Sequence, residues 1–384
     1  MLDRRNFLST ATLAAAATAF APRIAFAAAP TEKRFVFIIQ RGAADGLGTI
    51  MPYGDPGFAP ARGALAQEAV GGAKLDGMFA LHPMLKTAAS MYQGGEALFA
   101  HAVASPYRDR SHFDGQNVLE TGGTNAYEVK DGWLNRLLTV LPQGEQRAIA
   151  VAATVPMALR GKVEVSSYAP SALPDASDDL LARVSQMYAG DQQLHALWEQ
   201  ATATRSLTGD LAGDDGRNAA ATGALAARLL VPANGARIAM IETGGWDTHS
   251  GQAGRLGAQL RGLDAMLAAI KTGLGPLWKD TMVLVATEFG RTVAVNGTGG
   301  TDHGTASSAM LFGGGVKGGR VLADWPGLAQ ANLYEGRDLK PTTSLDGFIA
   351  GATAAHFGVD PLRTTAALFP KAGLVKPVEG LVRV

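Results

Sequence analysis

Short, β-rich apolar runs alternate with longer stretches of helical spacing, and this alternation restricts the fold of the chain more than any other feature. The runs are "RFVFII" at 34–39, "ALFAHAV" at 97–103, "RAIAVAA" at 147–153, the opening of "RIAMIETGGWDTH" at 237–249, the opening of "TMVLVATEFGRT" at 281–292 and "SAMLFGGG" at 308–315. Each has the length and composition of a buried strand. Helical patterns separate them, in "LHPMLKTAASMYQGG" (81–95), "SHFDGQNVLETGG" (111–123), "QAGRLGAQLRGLDAMLAAIKTGL" (252–274) and "SLDGFIAGATAAHFGVD" (344–360). Strand followed by helix, repeated, predicts an α/β fold with a mostly parallel central sheet and helices on both faces. Hydrophobic residues make up 47% of the chain, enough for a large core. No internal repeat or long linker divides it. Residues 30–384 are expected to form a single domain, with the more polar, helical stretch 175–230 as an insertion.

The first residues follow a different logic. "MLDRRNFLSTATLAAAATAFAPRIAFAAAP" places Arg4-Arg5 before Phe7-Leu8, an alanine-rich apolar run and a small-residue "AFAAAP" ending. This resembles a twin-arginine export signal over residues 1–29, and implies a periplasmic or secreted protein. Pro22 and Arg23 cut the apolar run to roughly 17 residues, at the short edge for a membrane span. Nothing else in the sequence is long and apolar enough to span, so no integral membrane segment is expected after signal cleavage.

Composition removes other classes. The chain has no cysteine, which excludes disulfides, zinc-thiolate sites and cysteine nucleophiles. Its formal net charge is zero, so there is no charge footprint for nucleic acid.

Ligands of parallel sheets collect beyond the carboxyl ends of the strands, and the polar motifs lie there. Asp45, in "GAADGLG" after the first strand, either faces a ligand or bonds its own turn. "GGWDTHSGQ" supplies Asp247 and His249; in an extended segment residues two apart share a side, so both can reach one ion. "GGTDHG" supplies Asp302 and His303, whose convergence needs the irregular backbone that Gly299, Gly300 and Gly304 permit. Glu288, at the end of a strand, is a further ligand or an acceptor behind one. Arg291 either pairs with Glu288 or holds an anion. Arg41 either clamps a phosphate or sulfate oxygen or neutralises nearby acids. Ser111 stands at a helix start, where it is a nucleophile or simply an N-cap with Asp114 three residues on. His112 beside it is a ligand, an acid or a packed histidine. His356 reads as a structural histidine near a helix end.

The ordered set "RGAADGLGTIMPYGDP", "LHPML", "RSHFDGQNVLETG", "GGWDTHSGQ", "TEFGRTVAVNGTGGTDHGTASSAMLFGGGVKGG" and "DLKPTTSLDGFIAGATAAHFGV" resembles the bacterial family called domain of unknown function 1501, over most of the mature chain. That family is grouped with the alkaline phosphatase and sulfatase superfamily. The resemblance implies an alkaline-phosphatase-like sheet and a metal site at the strand ends. It also implies two divalent ions, with Asp45, Ser111, Asp247, His249, Asp302 and His303 matching the superfamily's pattern in order and type. The residues themselves, with Glu288 as a further ligand, are expected to hold one or two ions, and oxygen and nitrogen donors without thiolate suit zinc, manganese or iron. Ser111 would be the nucleophile, with Arg41 and Arg291 as catalytic cations. The chain departs from the superfamily in one respect: Glu288 stands where "DHG" usually follows a strand, and "TDHG" comes later. Sulfatase chemistry through formylglycine is not expected, because there is no cysteine and neither Ser105 nor Ser111 starts an S-x-P-x-R motif.

The expected function is therefore an exported metal-dependent hydrolase acting on small phosphate or related anionic esters, or on a polysaccharide-linked substrate. The alternative is a binding or complex-associated protein, with a protein partner, that keeps the fold without turnover.

Overall fold

The computed structural model describes residues 31–384 except 142–147, 170–177, 192–193, 196–197, 199–217, 234, 374 and 384. The export signal expected at 1–29 lies outside the described residues, as does much of 175–230. Twelve strands are described: β1 (Arg34–Gln40), β2 (Ile50–Met51), β3 (Ala73–Lys74), β4 (Ala80–Leu81), β5 (Ala97–Ala104), β6 (Ala148–Val151), β7 (Ser166–Ser167), β8 (Ile238–Thr243), β9 (Thr281–Thr287), β10 (Ser307–Phe312), β11 (Arg320–Leu322) and β12 (Thr343–Ser344). Nine of them form one sheet in the order β11-β5-β10-β9-β1-β8-β6-β7, with β12 also paired to β5. All its neighbouring pairs are parallel except those of β10, which runs antiparallel to both β5 and β9. The short β2, β4 and β3 form a separate antiparallel sheet.

The strand period explains the layers. Along β1, Val36 and Ile38 enter one core, while Phe35, Phe37 and Ile39 enter another on the opposite face. Both faces are apolar, so a strand covered on both sides reads as a continuous run rather than an alternation. On the first face lie helices Lys86–Gln93, Ala219–Leu230 and Gln252–Leu274. The last of these turns Leu256, Leu260, Leu263, Met266, Leu267 and Ile270 inward, and each such side chain contributes roughly 1.5–3 kcal/mol by leaving water. On the second face lie Trp133–Val140, Leu345–Phe357 and Pro361–Leu368. Of the stretch 175–230, the described helix Ala219–Leu230 thus packs in the main layer. Among the described residues, no helix is long and apolar enough to cross a membrane.

His356 is buried and bonds the Arg34 carbonyl at the start of β1 (2.8 Å), the end of the sheet away from the polar loops.

Candidate metal centre

The carboxyl ends of β1, β5, β8 and β9 and the amino end of β10 share one edge of the sheet. Loops 244–252 and 288–306 run side by side there. Between them the Thr301 amide donates to the Thr248 carbonyl (3.2 Å) and Gln252 N to Gly299 O (2.9 Å), while Thr292 N to Asp302 O (2.9 Å) folds the second loop on itself. Two glycines allow this closeness. A Cβ on Gly300 would lie 2.2 Å from the His249 carbonyl carbon, and one on Gly304 2.3 Å from that of Arg291.

Three histidines and one carboxylate meet between these loops. Asp247 Oδ1 lies 3.0 Å from His249 Nε2 and 3.3 Å from His303 Nε2, and Asp247 Oδ2 lies 3.3 Å from His112 Nε2. The Nε2 atoms of His249 and His303 are 3.0 Å apart. Among the described residues, His112, Asp247 and His303 form the group able to place three ligand atoms around one point, and His249 joins it through Asp247 and His303.

The outer ring nitrogens decide what the inner ones carry. His303 Nδ1 donates to the Arg110 carbonyl (2.9 Å), His249 Nδ1 to Asp302 Oδ1 (3.2 Å), and His112 Nδ1 to Glu288 Oε1 (2.9 Å). In the neutral rings each Nε2 therefore presents a lone pair, and the three lone pairs face a carboxylate. Such a set of acceptors suits a cation. His112 Nε2 makes the same point: it is fully buried and has no aligned hydrogen bond, although Asp247 is within ion-pair distance. Ligand atoms about 2.0–2.2 Å from a tetrahedral ion are about 3.3–3.6 Å apart, close to the spacing here. The donor set fits a divalent ion.

Electrostatics follow the same contacts. Glu288 is fully buried, which pushes its carboxyl up, but bonds from His112, Gln116 and the Gly42 amide prevail and hold it below the usual range. Burial likewise raises Asp247, and the adjacent Arg291 guanidinium outweighs it, so the carboxyl stays ionised. The hydrogen bond to Glu288 raises His112, whereas burial and the charge of His112 lower His303.

Of the ligands expected from the sequence, Asp247, His249 and His303 join His112 in the cluster, while Glu288 and Asp302 stand behind His112 and His249. Arg291 pairs with Asp247 (2.6 Å) rather than Glu288, and its other nitrogens bond Thr301. Arg41 is held by Glu242 (2.8 Å), Glu120 (2.9 Å) and Gln116 (2.8 Å), so it neutralises acids. Ser111 precedes helix His112–Thr121 but makes no side-chain cap bond. It lies between Arg110, whose carbonyl holds His303, and His112. Arg110 has a φ of 59°, a costly left-handed backbone for a residue with a side chain.

Asp45 is placed elsewhere. It is buried, pairs with buried Arg62, accepts from Leu47 N (3.1 Å) and is bonded by Gln252. Gln252 in turn accepts from Thr248 (3.0 Å) and Thr301 (2.6 Å), so Asp45 braces the loops behind the cluster. An Asp45→Ala variant is expected to lose about 3–5 kcal/mol of stability, the usual result of orphaning a buried charge, with full metal content in its folded fraction. Denaturant titration and elemental analysis read the two effects separately; loss of metal from stable protein would make Asp45 a ligand instead.

The fold and site together define an α/β protein that gathers three histidines and a carboxylate at the carboxyl edge of a mostly parallel sheet. The chain belongs to the family described as "Protein of unknown function (DUF1501)", whose profile matches residues 32–361. No curated protein matches it in sequence. In structure it is similar to Ps i-CgsB in complex with k-i-k-neocarrahexaose, at 10% identity and a TM-score of 0.42, over 90% of this chain and 77% of that one. It is also similar to the C-terminal periplasmic domain of EcEptC from Escherichia coli in complex with Zn (7% identity, 74% and 73% coverage, TM-score 0.35). A third similarity is to the phosphonate monoester hydrolase of Agrobacterium radiobacter (10% identity, 76% and 70% coverage, TM-score 0.32).

Proposed function

We propose that the chain is a metal-dependent hydrolase of phosphate or related anionic esters, holding one divalent ion through His112, Asp247, His249 and His303. The observation that carries this reading is the set of three imidazole lone pairs facing a carboxylate, each ring fixed by a partner on its far nitrogen. Imidazole and carboxylate donors suit zinc, iron or manganese. When bound, such an ion would shield developing negative charge and acidify a coordinated hydroxyl. Arg291 orients Asp247, while Glu288, Asp302 and the Arg110 carbonyl fix the histidine tautomers. Ser111, uncommitted and flanked by the residues that contact His303 and Asp247, supplies the attacking hydroxyl. The centre is open on the side of Asp302, whose side chain is 56% exposed, as a catalytic rather than a closed structural site requires. A cavity of about 710 Å³ begins at Asp302 and runs between residues 57–61, 292–296 and 328–337; its apolar walls would take the organic part of the ester. We further propose that residues 1–29 direct export and that the mature chain, one domain, is periplasmic or secreted.

One observation favours a non-catalytic binding protein. Arg41, Arg110 and Arg291 are all engaged by acids, which leaves none of the three to hold an anionic ester. The two readings separate in one experiment. Metal-loaded protein is assayed on 4-nitrophenyl phosphate, phosphonate and sulfate esters beside Ser111→Ala. The hydrolase predicts turnover that falls by roughly a thousandfold or more in the variant with metal content unchanged. Metal retained without turnover on any ester would establish the binding protein, and undiminished turnover in Ser111→Ala would remove the serine from the mechanism.

A further inference from the structure

A second cavity, of about 250 Å³, opens beside the loop that follows β5. Ser105, Arg108, Thr124, Thr342, Thr343 and Asp346 line it. Asp346 is 5% exposed, yet neither of its oxygens receives a hydrogen bond from a described residue, and its charged neighbour is Arg108. It is not needed as a helix cap, because the Ser344 hydroxyl already accepts from Gly347 N (3.2 Å). A carboxyl taken out of water without hydrogen-bond donors weakens a fold. Arg108 commits one nitrogen to the carbonyls of Ser105 and Tyr107 and leaves Nε and Nη2 without a bond among the described residues. The Thr342 and Thr343 hydroxyls likewise have no bond among the described residues.

The walls therefore offer an acid, a guanidinium and hydroxyl groups, and above about pH 7, where the acid is ionised, their charges cancel. An anion would meet Asp346 and a cation would meet Arg108. A neutral ligand dense in groups that both donate and accept satisfies both walls. The volume lies below the roughly 300–1,000 Å³ of sites for drug-sized ligands, which restricts the ligand to about one ring. We propose that this cavity binds a single neutral sugar unit, with adjacent hydroxyls donating to Asp346 and accepting from Arg108. Burial pushes the empty Asp346 carboxyl up to about 7, as expected of an acceptor that lacks its donors. The proposal does not depend on whether the metal centre is catalytic.

The test uses the full metal-loaded chain at pH 8, with D-glucose, D-galactose, D-mannose and N-acetylglucosamine as probes in saturation-transfer NMR, and acetate and ethylammonium as charged controls. At least one sugar is expected to bind, and its affinity to fall tenfold or more in both Asp346→Leu and Arg108→Gln. Arg108 is partly exposed, so its variant keeps the test decisive if Asp346→Leu does not fold. The Asp346→Asn variant is also expected to melt several degrees above the parent at pH 8 and to match it below pH 4, where the acid is neutral in both folded and unfolded chains. Absence of saturation transfer from all four sugars would overturn the proposal. So would a sugar affinity unchanged in the two variants, or binding of acetate or ethylammonium in place of sugar.

Discussion

An Asp247→Ala variant is expected to carry no metal after purification and to show no hydrolysis, while Asp302→Ala retains metal with an affinity lowered about 10–100-fold. Asp247 is the residue that touches every other member of the cluster: His112, His249, His303 and Arg291 all lie within 3.3 Å of its oxygens. Its removal would delete the proposed anionic ligand and also leave the Arg291 guanidinium, fully buried, facing the proposed ion site without a counter-charge. The variant thus gains a repulsive element as well as losing an attractive one. Asp302 stands one step back. It bonds the far nitrogen of His249 and the Asn296 amide (3.1 Å) and is mostly exposed, so alanine there frees the ring to rotate without removing a ligand. Competition with a chelator, read by elemental analysis, measures both affinities on one scale. The reverse order, with metal lost from Asp302→Ala and kept by Asp247→Ala, would exchange the two roles.

These assignments show what sequence could convey. The apolar runs at 34–39 and 97–103 and the opening of the run at 281–292 lie in strands, and the helical spacing at 252–274 matches its helix end to end, because burial on one or two faces writes a period into the residues. The reversal of β10 left no such trace, since an apolar run reads alike in both directions. The short strands β7, β11 and β12 are too brief to carry a pattern at all. At the site, glycines flanking the acid and histidine pairs marked where loops must approach closely. Which member of "DH" faces inward was not legible, because it depends on the register in which His303 bridges Arg291; neighbours in an extended segment point to opposite sides, so one goes to the cluster and the other to the rim. His112 needed its helix to aim it. The partners of Arg41 lie 79 and 201 residues away, and pairing over such distances has no sequence period. Asp45 illustrates the same limit: its spacing from the first strand suits a ligand, and only packing shows that Arg62 already occupies it.

The second large effect is expected in acid. His101 and His356 are fully buried, and burial depresses both to about 4. Their unfolded value is near 6.5, so between about pH 6.5 and 4 the unfolded chain binds protons that the folded chain refuses. Stability therefore falls as pH falls through that window, and above it neither histidine has any effect. Each shift corresponds to roughly 3 kcal/mol across the whole window. The bonds of His101 explain why it resists protonation. Its Nε2–H donates to the Ile50 carbonyl (2.9 Å), and its Nδ1 accepts from Ala102 N (2.8 Å). A proton on Nδ1 would set two donors against each other with no water to relieve them. The ring also stacks on Phe79 (5.5 Å) and meets Trp325 edge-on (5.0 Å), which leaves it no room to turn. Asp346 acts in the opposite sense over nearly the same range: its folded value is raised, so its penalty fades as pH falls from about 7 toward 4. It offsets part of the loss from the two histidines in the parent, and the variants separate the two tendencies. His101→Gln keeps a donor and an acceptor but cannot titrate. It is expected to be less stable than the parent at pH 8, through lost stacking, and to close that gap as the pH approaches 4. Urea unfolding at pH 8, 6, 5 and 4 measures it: the difference between the two proteins should shrink by roughly 3 kcal/mol, and a constant difference across the series would mean that His101 takes its proton as readily folded as unfolded.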